Sequence, residues 1–241
     1  MTRTRPWYRR RILIAAAVTV ALAGAAEASA RIWLENTLSG ATGSLLGGHA
    51  SVGIGGRPAL IDLATGSVPT LTVHDAGVNV CKIQGATIDA TFQNAQRQNG
   101  HLSDSSSQAS ILLPPSAISS LLSARLGGGM TATVVPDPST GQLDVNIGGL
   151  IDLYEQPALK NGALSFTPAS VGIAGFSAPA GLAGGLTSKA AFSQKLPSLP
   201  LALHAQSVAV TPDGLLLDAS GAASGPQLAK ASAPAGGLRT C

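Results

Sequence analysis

The sequence predicts an α+β domain built mostly from antiparallel strands. Short segments along most of the chain alternate apolar and polar residues, as in Leu143-Asp144-Val145-Asn146-Ile147, so each has one face to bury. Only two or three stretches have helical spacing, and no βαβ rhythm runs through the chain, which argues against a nucleotide-binding parallel sheet. Turn signals such as Asn161-Gly162 and Pro212-Asp213-Gly214 separate neighbouring alternating runs, as hairpins require.

The chain opens on a targeting segment. Arg9-Arg10-Arg11 precede an uncharged, mostly apolar run of 15 residues, Ile12 to Ala26. A bilayer-spanning helix needs about 20 apolar residues. Ala28-Ser29-Ala30 fits the small-residue pattern of a signal-peptide cleavage site. Two readings stay open: a cleaved signal peptide, or an uncleaved anchor whose helix continues past Glu27 into Arg31-Ile32-Trp33-Leu34. Both export the chain to the extracytoplasmic cell envelope, secreted, periplasmic or anchored by the N-terminal helix. A buried N-terminal helix is excluded by five arginines crowded at one end. The expected organisation is a leader over 1–30, one domain over 31–221 and an Ala/Gly/Pro-rich tail over 222–241.

A helix is expected over about Arg31 to Leu46, with Ile32, Leu34, Leu38, Leu45 and Leu46 available for burial. Strands follow around Val52 and Ile54, Leu71 and Val73, Val78 and Val80, and Ile88, Ala90 and Phe92. The polar stretch Asn94–Ser110 reads as a loop or mobile strand edge. Pro114-Pro115-Ser116 opens a second helix carrying Ile118, Leu121 and Leu122, with Ser116 as its cap and Gly127-Gly128-Gly129 as its end. Met130–Val135 and Leu143–Ile147 are strands joined by a turn over 137–141. Leu164 and Phe166 alternate after the Asn161-Gly162 hairpin. Ala180–Lys195 reads as a helix interrupted by glycines. Leu199, Leu201 and Leu203, then Val208–Val210, then Leu215–Leu217, complete the sheet.

Composition narrows the function. Charged residues are 11% of 241 and aromatics 3%, so the core must be aliphatic. The net charge of +3 belongs to the leader: from Arg31 onward ten basic residues face eleven acidic ones. Nucleic-acid binding, which needs many phosphate contacts, is therefore excluded. In an oxidising compartment Cys81 and Cys241 can form one disulfide; the other reading is two unpaired thiols. The four histidines His49, His74, His101 and His204 have no metal-ligand spacing, and nothing calls for a cofactor.

Catalytic patterns are missing as well. No nucleophile elbow, zinc-helix motif or phosphate-binding loop occurs. Asp144, Asp152 and Glu155 could work as carboxylates in an enzyme acting on lipid-linked glycan, if they share a cleft; otherwise they are polar positions of strands and turns. His74 and Asp75 are adjacent on a strand and so point to opposite faces. What remains is an exported, aliphatic, weakly charged sheet protein. Its interior is either completely filled, as a structural envelope protein's would be, or an apolar cavity able to take an acyl chain.

The order of motifs resembles the LmeA family of actinobacterial phospholipid-binding proteins. The resemblance is carried by the leader and first helix, then by Val52-Gly53-Ile54-Gly55-Gly56-Arg57-Pro58-Ala59-Leu60-Ile61-Asp62-Leu63-Ala64-Thr65-Gly66. It continues through Thr70–Ala76, Leu112-Leu113-Pro114 with Ile118–Leu122, Leu196-Pro197-Ser198-Leu199-Pro200-Leu201, Val208–Thr211 and Gly214–Leu217. It implies a tubular lipid-binding fold, a strongly curved antiparallel sheet wrapped around a long helix and enclosing an apolar cavity. It also implies phospholipid or glycolipid as partner, a membrane surface met through the N-terminal segment, a link to lipoglycan assembly, and no established catalytic residue. The inward residues expected to line the cavity are Leu60, Leu63, Leu71, Val73, Leu121, Leu122, Val145, Ile147, Phe166, Leu201 and Leu203. The Gly-rich middle and the Ser/Gln stretch at 94–110 depart from the family's pattern.

Overall fold

A computed structural model describes residues 24–37, 39, 50–80, 83–98, 101–173, 176–179, 191–196 and 203–221. Helix α1 covers 24–37. It is followed by β1 (Ser51–Gly55), α2 (Ala59–Thr65), β2 (Ser67–Val80), β3 (Ile83–Gln98), β4 (His101–Ser103), β5 (Ser106–Leu113) and α3 (Pro115–Leu126). The second half adds β6 (Ala132–Asp137), β7 (Gln142–Ile147), β8 (Ile151–Lys160), β9 (Ala163–Ile173), β10 (Phe176–Pro179), β11 (Phe192–Lys195), β12 (His204–Thr211) and β13 (Gly214–Gly221).

The class is α+β, as expected, but the strands form two antiparallel sheets instead of one wrapped sheet. Among the described residues the first sheet has seven strands in the order β1-β2-β3-β5-β13-β12, with β4 beside β3. The second has six, β10-β9-β8-β7-β6, with β11 beside β9. Neither sheet is strongly curled, and no long helix runs through the described part. The physical reason lies in the alternation. Each sheet has one apolar and one polar face, and two such sheets bury their apolar faces on each other. One buried cluster takes Leu71, Val73, Ile88 and Leu217 from the first sheet and Leu143, Val145, Leu164 and Val171 from the second.

Helix α3 joins the layers, packing on β6 of one sheet and β3 of the other. It buries Ala117, Ile118, Leu121, Leu122 and Leu126. Two of its serines also serve the outer edge of β6: the Ala132 amide donates to Ser123 Oγ at 2.8 Å and the Val134 amide to Ser119 Oγ at 3.0 Å. An open sheet edge is thus covered rather than left to pair elsewhere.

Several expectations shift. The helix expected over 31–46 is already present from residue 24 and is seen over 24–37 and at 39, while 38 and 40–46 lie outside the described residues. Pro114, not Ser116, occupies the cap of α3, because proline suits the first helical turn and Pro115 takes that place. Of the two readings of 94–110, loop or strand edge, the structure shows mainly strand, covering the end of β3, β4 and the start of β5. Ala95, Ser107 and Ala109 point inward there, so the alternation is real but written in small side chains. Phe192–Lys195, expected at the end of a helix, is a strand beside β9. Cys81, Cys241, Leu201 and the 222–241 tail lie outside the described residues, as do 1–23.

Candidate functional site

The interior between the sheets is built row by row from strand registers. Val52, Val73, Ala90, Ala109 and Ala219 stand opposite one another across β1, β2, β3, β5 and β13. Leu71 pairs with Phe92, and Ile88, Ile111 and Leu217 form a further row. The alanine row is where the inner wall of the first sheet is lowest, since alanine carries only a methyl group. Facing walls come from the second sheet and from Leu121 and Leu122 of α3. Phe166 stacks on Phe192 with centroids 4.6 Å apart, and the Arg125 guanidinium lies 4.9 Å from the Phe192 ring centre.

Of the cavity residues expected from the sequence, Leu71, Val73, Leu121, Leu122, Val145, Ile147, Phe166 and Leu203 are all buried in this one cluster. Leu60 and Leu63 are not. They sit on α2 and point outward, 44% and 40% exposed. The short helix turns Ala59 and Asp62 to the body instead. Asp62 pairs with the more exposed Arg57, Nε to Oδ1 3.3 Å. Its carboxyl is nevertheless raised above its ordinary range, first by burial, with Arg57 opposing. Phe192 is the interior residue that sequence reading missed, because the glycines before it suggested an interrupted helix. Its alternation with Gln194 is too short to show as a strand.

The three carboxylates considered for catalysis do not share a cleft. Glu155 points into the interior on β8, opposite Leu143 of β7 and Pro168 of β9. It is 1% exposed. Neither of its carboxyl oxygens has a hydrogen-bond partner among the described residues. Burial pushes its carboxyl up to about 7. Asp144 and Asp152 occupy the alternate positions on the opposite face of the second sheet. Asn146 Nδ2 donates to Asp152 Oδ1 at 2.7 Å. Asp144 is raised by burial and then by the charges of Asp152 and Asp137.

A second feature lies on the first sheet. A groove of about 290 Å³ is lined by residues 72–74, 89–91 and 108–110. Its polar side chains Thr72, His74, Asp89, Thr91, Gln108 and Ser110 alternate with the buried Val73, Ala90 and Ala109. His74 Nδ1 and Asp89 Oδ1 are 2.6 Å apart across β2 and β3. Sequence reading weighed His74 only against its neighbour Asp75 and set that pair aside as facing opposite ways. Two register shifts lie between this pair and the turn, at Ala76/Val78 and Val78/Val80, and they cancel, so His74–Asp89 keeps the register of Val80–Ile83. Ser110 Oγ donates to Asp218 Oδ1 at 3.1 Å, as Ser207 Oγ does to Asp218 Oδ2 at 3.1 Å. Ser110 and His74 are two strands apart, roughly 10 Å. The hydroxyl is committed elsewhere, so no serine–histidine–aspartate relay is assembled.

An interior walled by aliphatic rows suits binding of an apolar ligand. Residues 19–220 match the LmeA-like phospholipid-binding family. The chain belongs to that family. No curated protein and no solved structure matches the chain. The family match takes in α1, both sheets and α3, and it assigns phospholipid as the ligand class of this LmeA-like protein.

Proposed function

We propose that this LmeA-like protein is an exported cell-envelope protein that holds phospholipid or glycolipid by its acyl chains in the apolar space between its two sheets. It presents or shuttles that lipid in support of lipoglycan assembly, and it acts as a binding protein rather than an enzyme. The observation that carries the reading is the family match across residues 19–220. The aliphatic interior supports it, as does the separation of Glu155 from Asp144 and Asp152 onto opposite faces of one sheet.

Magnitudes set how the lipid is held. Each methylene moved out of water contributes about 0.8 kcal/mol. Association costs roughly 4–15 kcal/mol. An acyl chain is therefore retained only if about a dozen methylenes enter, which means most of its length. The sheets must part over the alanine row to admit it.

Uptake of a fluorescent phospholipid by the full chain tests this. Replacing Ala90 and Ala109 together by Leu fills the row without adding polarity. The expected result is uptake by the parent chain and at least a tenfold loss in the double variant, with both proteins melting cooperatively. Equal uptake by the two would place the ligand elsewhere. A parent chain that takes up none would remove the reading.

A further inference from the structure

The aliphatic interior holds a carboxyl group with no partner among the described residues. Glu155 is 1% exposed, and both of its oxygens are buried without a hydrogen bond. It stands on the inward face of β8, in register with Leu143 of β7 and Pro168 of β9. The buried Leu153 precedes it by two residues on the same face. A buried polar group left unpaired is costly, and native interiors hold few of them. Leucine or methionine would fill this space without that cost. A ligand that brings a partner into the interior gives the carboxyl a use.

The surroundings say what that partner is. The elements packed most closely on β8 are β7, β9 and β12. β9 has no titratable residue, Asp144 of β7 lies on the other face of the sheet, and His204 of β12 is exposed. On β8 itself Asp152 and Tyr154 alternate away from Glu155, and Lys160 is exposed. Burial alone raises the Glu155 carboxyl, to about 7. Below that pH the group is a neutral acid with one O–H to donate. An ammonium would find no carboxylate to pair with, and a phosphate would carry its charge into an apolar space. An uncharged acceptor fits. In a diacyl lipid that acceptor is the ester carbonyl at the head of each acyl chain.

The place in the sheet agrees. Pro136, Leu143, Glu155 and Pro168 form one row across β6, β7, β8 and β9. Leu143 is the last inward residue of β7 before the turn at 138–141, so the row ends the wall that β6 and β7 build. The next row inward is aliphatic throughout: Val145, Leu153 and Val171. An acyl chain can lie along that wall with its polar end at Glu155.

We propose that the Glu155 carboxyl donates a hydrogen bond to an acyl-ester carbonyl of the bound lipid, and so sets where the polar end of the chain stops in the interior. This rests on the lipid-holding function above and names the polar group that the interior reads. Ester-linked chains then bind more tightly than ether-linked chains of the same length, because an ether brings no carbonyl.

The full chain is loaded at pH 6 with a fluorescent diacyl phosphatidylglycerol. Unlabelled phosphatidylglycerol then displaces it, with either ester-linked or ether-linked chains of one length. The expected preference for the ester-linked lipid is about fivefold or more, the worth of one net hydrogen bond. Glu155→Gln, whose amide still donates, keeps the preference at pH 6 and at pH 9. The parent chain loses it at pH 9, and Glu155→Met, which fills the space without a donor, lacks it at both. The infrared band of a ¹³C-labelled ester carbonyl reads the contact in the parent chain alone, and is expected at lower frequency at pH 6 than at pH 9. An equal preference in the parent and Glu155→Met, or a carbonyl band unmoved by pH, would overturn the proposal while lipid uptake stands. A parent chain that takes up no lipid at pH 6 would remove the function above and this contact with it.

Discussion

Glu155 stands in register with Leu143 and Pro168 on the inward face of its sheet, and burial raises its carboxyl to about 7. The sign of the pH effect follows. Between the ordinary carboxylate value of 4.5 and about 7, the folded chain holds a proton that the unfolded chain has released. Stability is therefore fully present below 4.5 and falls as pH rises through that window, by roughly 3 kcal/mol in all. Glu155→Gln should flatten the slope between pH 5 and 8, measured by urea titration, and be the more stable protein at pH 8. An unchanged slope would show that the carboxyl is solvated. Asp137 works the other way, held below its ordinary range by hydrogen bonds from Ser139 and Thr140. Its contribution is lost only as pH falls below the ordinary aspartate value of 3.8. Gly214 has φ +133°, and an added Cβ would stand 2.1 Å from the Leu113 carbonyl oxygen. Gly214→Ala should cost at least about 3 kcal/mol in the same titration. The Pro212-Asp213-Gly214 turn was legible in the sequence. The need for glycine there was not, because it comes from a strand a hundred residues away.

At the scale of elements, hairpins whose turn chemistry is explicit were readable. Asn161 and Gly162 both have positive φ, 51° and 71°, as a type I′ turn requires, and they join β8 to β9. The strands at 94–110 were hidden because their inward residues are Ala95, Ser107 and Ala109, which carry little hydropathy signal. The pairing of β5 with β13 was hidden because Leu215-Leu216-Leu217 does not alternate. The role of α3 combines both cases. Its apolar residues were evident, while nothing in the sequence marked Ser119 and Ser123 as partners of a strand edge. Replacing both by Ala should strip the β6 edge of two hydrogen bonds in a buried setting, at a cost of about 2 kcal/mol or more. Amide exchange at Ala132 and Val134 should rise in step. Unchanged protection there would mean that the serines contribute nothing to the edge.

For the whole molecule, the sequence made the class and the aliphatic character of the interior plain, but not the division into two sheets. One alternating strand looks like another until long-range pairing assigns it a layer. Eight of the eleven expected cavity residues fall in one buried cluster, because alternation marks an inward face reliably. Leu60 and Leu63 break that rule on α2, where a seven-residue helix turns Ala59 and Asp62 inward. The same outward leucines lie on the helix that Glu27 of α1 caps through the Ala59 and Leu60 amides. The most direct test is native mass spectrometry of the full chain purified from cell envelopes, followed by lipid extraction. The account predicts protein ions carrying bound phospholipid or glycolipid, with the added mass recovered as diacyl lipid in the extract. Bare protein ions, with no lipid in the extract, would contradict it.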